Sequence, residues 1–299
     1  MRSSTLASAT DVRPLRVPAL PRRGRRDLLA VAAAAYLVAV GLMALAAPLL
    51  TPYAYDEQHL EEGLRRPGTT HLLGTDQFGR DVFTRIAYGA RVSLTVGMVA
   101  VSAEAVLGAL WGATAGLLGG PADAWMMRVA DLFIAFPPLL LALLITGLFG
   151  PGLVNVVIAL VLTAWPGIAR LVRSHVVVLR EREFVEAARA AGAGTWWIIR
   201  RHLLPNVAHL VAARGTLDAG MLILLEATLS FVGVGVQPPR PSWGLMIQEA
   251  FGYLRSATYL LVAPAVFLSL TVVSLNVVGE HLVDALDPRG SRLARGRRS

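Results

Sequence analysis

The chain has 299 residues, 55% hydrophobic and 16% charged, with a mean hydropathy of +0.57; a soluble domain carries about 25% charged residues, so an ordinary soluble globular protein is excluded. There is no cysteine, which excludes disulfides, thiolate nucleophiles, Cys-bound zinc, iron–sulfur clusters and c-type haem. All 28 basic residues are arginine, and without lysine the chain can form neither a Walker-A phosphate loop nor a Schiff base.

A transmembrane helix needs about 20 mainly apolar residues. Residues 1–27 read as an Arg- and Pro-rich cytoplasmic tail, and residues 28–50 as a first span without charge. Ala44-Leu45-Ala46 resembles a cleavage site, but a signal h-region runs about 7–15 residues, so an uncleaved span is expected. Residues 51–91 read as an external polar loop with the acids Asp56, Glu57, Glu61, Glu62, Asp76 and Asp81. The second span is expected over 92–118, interrupted only by Glu104. The third covers 132–149, extended back towards Ala124, and the fourth 151–169. The fifth, 207–236, is apolar but carries Arg214, Asp218 and Glu226. Three prolines within 238–241 then force an extended external turn. The sixth span covers 256–279, and 284–299 form a C-terminal tail. The expected fold is an all-α integral membrane protein with six transmembrane helices, its core over 92–283.

Arginine positions set the orientation. With six spans and the N-terminus inside, 21 arginines fall at or near the cytoplasmic side and seven (Arg65, Arg66, Arg80, Arg85, Arg91, Arg240 and Arg255) on the other. Cytoplasmic loops are enriched in Lys and Arg, so both termini are expected inside. The net charge of +8 then reads as topology and not as nucleic-acid binding.

The cytoplasmic segment 170–206 is the most informative. Residues 182–191 contain strong helix formers, and Gly192 stands where a glycine would end a helix. Thr195 follows as an expected N-cap, and 196–204 as a second helical run up to Pro205. A helix–glycine turn–helix of this kind suits either an interfacial connector or a docking element, the alternating Ala and charged residues allowing close approach and fixed register.

Intramembrane charges are costly, about 2.5–3.5 kcal/mol each at mid-helix. Arg214 and Asp218 are four residues apart and can pair. Glu226 shares their third of the helix circumference, so that face is expected to point into the bundle or a pathway. Glu104 stands alone and needs a partner from another helix. Gly108, Gly112 and Gly116 form a small-residue stripe suited to close helix packing. An intramembrane enzyme is disfavoured: no glycine begins a Gly-x-Ser, and His59, His71, His175, His202, His209 and His281 form neither HExxH nor a ligand-like cluster. An ATP-independent transporter or channel is the other class, but it does not require a long helical cytoplasmic loop.

Glu186-Ala187-Ala188, Gly192 and Leu204-Pro205 have the spacing of the EAA loop, and in this the chain resembles the permeases of ABC importers. His202 takes the place of the pattern's Ile. Gly74-Thr75-Asp76-Gln77-Phe78-Gly79-Arg80-Asp81 is similar to the GTDxxGRD segment of the C-type permease of dipeptide, oligopeptide and nickel importers. The stretch from Glu226 through QPPRPSWG and the final Asp284-Ala285-Leu286-Asp287-Pro288-Arg289 resemble the same subfamily, while Gly279-Glu280 departs from its more usual Gly-Asp.

The resemblance implies a type I importer permease fold in a bacterial-type inner membrane. It implies a heterodimer with a B-type permease, two ATPase subunits and an external solute-binding protein. This chain itself would bind no cofactor or metal, ATP and Mg belonging to the ATPase subunits. Phe184, Glu186, Ala187, Ala188 and Gly192, with Leu204 and Pro205, would form the coupling element in the cytoplasmic loop 173–206. The implied solutes are di- or oligopeptides, with glutathione-like peptides and nickel chelates as alternatives.

Overall fold

The structure, a computed structural model, describes residues 23–286; the expected terminal tails, 1–22 and 287–299, lie outside the described residues. Ten α-helices follow one another: α1 Arg23–Leu50, α2 Val82–Leu118, α3 Gly120–Ile134, α4 Pro138–Phe149, α5 Leu153–Leu179, α6 Glu183–Ala190, α7 Thr195–Ile198, α8 Leu204–Val232, α9 Trp243–Ala250 and α10 Tyr259–Leu286. A π-helical turn, Ile199–Leu203, joins α7 to α8. Among the described residues there is no strand, only an isolated bridge between Thr75 and Asp81. Five helices are long and apolar enough to cross a membrane, or six if the bent pair α3–α4 counts as one span.

α2 is the central post, packed against α1, α5 and α8, while α10 lies against α1 and α8. The glycine stripe explains the α2–α5 contact. A Cβ on Gly108 would sit 2.6 Å from the Ile168 Cβ, one on Gly116 2.9 Å from the Val176 Cβ, and one on Gly112 would land on the Ala169 carbonyl. Only hydrogen fits at these positions, so the backbones meet directly.

Several boundaries differ from the sequence expectation. The fifth span ends at Val232, where Gly233 takes φ +94°, and not at 236. The last helix runs Tyr259–Leu286 and not 256–279, entering the expected tail. Four others differ, each for a local reason. α2 begins at Val82 and not near residue 92, because the Asp81 side chain caps it, accepting from the Thr84 N–H at 2.7 Å. The expected third span is broken into α3 and α4 by an 87° bend; Pro137 and Pro138 fall at the break, removing backbone donors and restricting the residue before each. α5 runs on to Leu179 past the apolar window, since Arg170 pairs with Asp131 at 2.5 Å and Arg173 with Asp123 at 2.6 Å, both on α3.

The fourth lies in the segment 170–206. Thr195 is the first residue of α7, Gly194 holds the cap position, and no side chain caps it. The helical run does not stop at Pro205. In an α-helix the proline ring would clash with the carbonyl four residues back, and the wider π turn just before it relieves that clash. Asn206 Nδ2 donates to the His202 carbonyl at 2.6 Å, adding a side-chain bond across this turn.

Gly112→Ala should force α2 from α5 and lower the melting temperature in detergent by several degrees, reflecting an overpacking cost of about 1–3 kcal/mol. Gly147→Ala, where a Cβ meets nothing within 4 Å, is the control and should leave the melt unmoved.

Candidate functional site

α6 carries the Glu186-Ala187-Ala188 triplet. Val185 and Ala188 are buried, three residues apart on one face, and join a cluster with Ala109, Ala113, Leu117, Ile168, Val172, Val176, Ile198, Ile199, Leu203 and Val207. The helix is thereby seated on the packed ends of α2, α5 and α8. Phe184, Glu186 and Ala187 are exposed, whereas Ala188 turns inward to the core. Within the triplet, then, Glu186 and Ala187 are the surface and Ala188 the anchor.

Gly192 ends the helix as expected. Its φ of +81° is a left-handed conformation, and a Cβ there would meet nothing within 4 Å, so the requirement is conformational and not steric. Gly192 N–H donates to the Arg189 carbonyl at 2.9 Å and Ala193 N–H to the Ala188 carbonyl at 3.0 Å. These are the two bonds of a Schellman motif. His202 packs between the rings of Phe184 (5.6 Å) and Trp197 (5.0 Å), so an aromatic contact occupies the position where the family pattern has Ile. Leu204 is half-buried and Pro205 exposed at the start of α8. Trp196 and Trp197, which the motif reading passed over, stand exposed beside the triplet.

The intramembrane charges do not form one site. Arg214 Nε donates to Asp218 at 2.8 Å, as the spacing predicted. Glu226 lies eight residues beyond Asp218, about 12 Å at 1.5 Å per residue, and has its own surroundings. Ser230 donates to it at 2.8 Å and Ser93 at 3.2 Å, while Ser242 caps α9 through the Leu245 N–H. Glu104 is buried with neither carboxylate oxygen hydrogen-bonded. The partner that sequence reasoning required is absent as a hydrogen bond; Arg214 and Asp218 interact with it only through space.

The Gly74–Asp81 motif folds into a buried ionic lock. Gly74 (φ +79°) and Gly79 (φ +72°) turn the chain around Thr75, Asp76, Arg80 and Asp81, all buried. Asp76 accepts from Arg80 Nε at 2.6 Å and from Arg85. Arg85 reaches Glu249 of α9 at 2.8 Å, and Arg80 reaches the same carboxylate at 3.4 Å. Asp81 also holds His71 Nδ1 at 2.9 Å, and His71 Nε2 lies 3.1 Å from Glu62. Tyr259 of α10 donates to the Arg65 and Thr75 carbonyls. Arg85, Glu249, His71 and Tyr259 were not legible as members of this lock, because Glu249 and Tyr259 join it across more than 160 residues of chain.

Among the described residues no group of three or more His, Cys, Asp or Glu could hold a metal.

Comparison with known proteins places this geometry. Residues 108–292 match the family described as binding-protein-dependent transport system inner membrane component, and residues 22–67 match the N-terminal TM domain of oligopeptide transport permease C. The dipeptide transport system permease protein DppC of Bacillus subtilis (strain 168) is 40% identical over 269 residues, covering 90% of this chain and 84% of that protein. The glutathione transport system permease protein GsiD of Pectobacterium atrosepticum is 39% identical over 272 residues, covering 90% and 89%. In fold, the chain is similar to an inward-facing structure of the MetNI methionine ABC transporter, with a TM-score of 0.54 and 22% identity over 68% of this chain and 96% of that one. Permeases of this family are multi-pass membrane proteins that work with a second permease, ATPase subunits and a binding protein. The chain therefore belongs to the binding-protein-dependent inner-membrane transport components and is a permease, the transport subunit of an ABC importer and not its ATPase.

Proposed function

We propose that this permease is the C-type half of the translocation pathway of a peptide importer, paired with a homologous B-type permease, with both termini cytoplasmic. The dipeptide and glutathione named for its relatives are both peptides, and their likeness extends over nine-tenths of the chain. The arginine count supports the orientation. ATP and Mg are used in two separate ATPase subunits, consistent with a chain that has no lysine, and an external binding protein delivers the solute.

The observation that carries the mechanism is the mounting of α6. Its inner face is fixed by Val185 and Ala188 to the ends of α2, α5 and α8, while Glu186, Ala187 and Gly192 are presented outward. A short helix held this way transmits a push as a rigid body. Movement of an ATPase groove gripping α6 rocks the helices behind it, which is how alternating access operates in a bundle with two packed arrangements.

Glu186→Lys reverses the charge on the presented face. Gly192→Pro forbids the positive φ and removes the N–H donated to Arg189. In proteoliposomes containing the assembled importer, each should cut uptake by between about 5- and 150-fold, the range of a coupling free energy, with membrane insertion intact. Unchanged uptake in both would refute the docking role. The solute is tested separately. The importer's binding protein, offered a dipeptide library, glutathione and Ni²⁺ complexes, should retain peptides; binding of the metal complexes alone would sink the peptide assignment.

A further inference from the structure

Pro48 lies in the last turn of α1. Having no N–H, it leaves the Ala44 carbonyl without its helical donor. Arg91 of α2 supplies the replacement: its Nε donates to the Ala44 carbonyl at 2.9 Å and its Nη2 to the Leu45 carbonyl at 2.9 Å. The same guanidinium lies over the Tyr88 ring at 5.5 Å, and Tyr88 packs on Tyr55 with 5.0 Å between centroids. Arg91 is thus held in place by groups that consume only part of its hydrogen-bonding capacity.

These three residues, with Val92, Arg240 and Pro241, line a cavity of about 290 Å³. Arg240 is exposed, with no hydrogen-bond or ion-pair partner among the described residues. No carboxylate lines the cavity. Glu57, close by in the chain, is turned onto the Ala54 N–H and His59 instead, and the Ala54 hydrogen bond holds its carboxyl below the usual carboxylate range. Next to the cavity the flank of α1 is apolar and bare: Leu45 and Leu49, one turn apart, are 75% and 89% exposed.

We propose that this cavity binds the phosphate of an anionic membrane phospholipid, with phosphatidylglycerol as the fitting headgroup and its acyl chains along Leu45 and Leu49 of α1. Two guanidiniums and two phenolic hydroxyls supply donors for phosphate oxygens. Half-buried tyrosines at the boundary between polar and apolar surface match the membrane–water interface. An acidic side chain of a soluble partner would use the cations but leave the apolar flank uncovered, which favours the lipid. A bound lipid would brace α1, whose packing in the bundle is against α2 and α10. The inference does not depend on which solute is carried or on which leaflet this end faces.

The test is lipid retention by the assembled transporter, measured by native mass spectrometry after exchange into detergent containing equimolar phosphatidylglycerol and phosphatidylcholine. Wild type should retain phosphatidylglycerol preferentially. Arg240→Glu should lower that retention about fivefold, the factor for one cation near an anionic headgroup, and Arg240→Gln should give a smaller loss in the same direction. Arg66→Glu, at an exposed arginine that does not line the cavity, should leave retention as in wild type. Equal retention in Arg240→Glu, or an equal loss in Arg66→Glu, would overturn the proposal. Displacement of the lipid by millimolar inorganic phosphate would mark a free-anion site and overturn it too. So would unchanged retention combined with weaker stimulation by the binding protein, which would mark an acidic protein partner.

Discussion

Gly108, Gly112 and Gly116 allow the backbones of α2 and α5 to touch where any side chain would collide with Trp165, Ile168, Ala169 or Val176. Helices in lipid gain no hydrophobic drive from associating, so close van der Waals approach of this kind is what holds them. The consequences reach beyond the pair. Leu117 of α2, Val172 and Val176 of α5, and Ile199, Leu203 and Val207 leading into α8 form one apolar platform, and Val185 and Ala188 of α6 sit on it. The mounting of α6 thus depends on the glycine stripe beneath it.

Charge is handled differently at different depths. Where the chain can recruit hydroxyls it does so: Glu226 is solvated by Ser93 and Ser230, tying α8 to α2. Where it can pair within one helix, as with Arg214 and Asp218, the ion pair is local. At the loop end of the bundle four ions, Asp76, Arg80, Arg85 and Glu249, close a network between the segment after α1 and α9. A buried network of this sort contributes little net stability over apolar packing, but removing one member leaves an uncompensated charge at a cost of about 3–5 kcal/mol. Its role is to fix one arrangement of the loops over the helix ends. Glu104, buried and without a hydrogen bond, is the exception to the pattern.

The division of labour follows from the same composition. A chain without lysine or cysteine has no means of gripping nucleotide phosphates with a P-loop or of using thiolate chemistry. In the proposed mechanism its work is mechanical: to receive a push at α6 and convert it into movement of helices packed backbone to backbone. Bare apolar flanks on α1 are the natural counterpart of a machine whose solvent is lipid.

Much was decided by the sequence alone. Apolar run lengths located five of the spans, because the thickness of a bilayer imposes a length that composition reveals directly. The EAA spacing, the Gly192 turn and the glycine stripe were legible for a similar reason: each is a local rule, a left-handed φ or an absent Cβ, carried by a single residue type at a fixed interval. Tertiary structure decided the rest. The break at Pro137-Pro138, the π turn that carries the helix through Pro205, and the inward turn of Ala188 depend on what lies across the bundle. So do the Asp76–Arg85–Glu249 lock and the serines around Glu226, whose partners are separated by up to 164 residues of chain (Arg85 to Glu249) and brought together only by packing. Local geometry is written in intervals along the chain. Which buried charge meets which partner is settled only when the helices are in place, because electrostatic and hydrogen-bond satisfaction depends on distance in space and not on order in sequence.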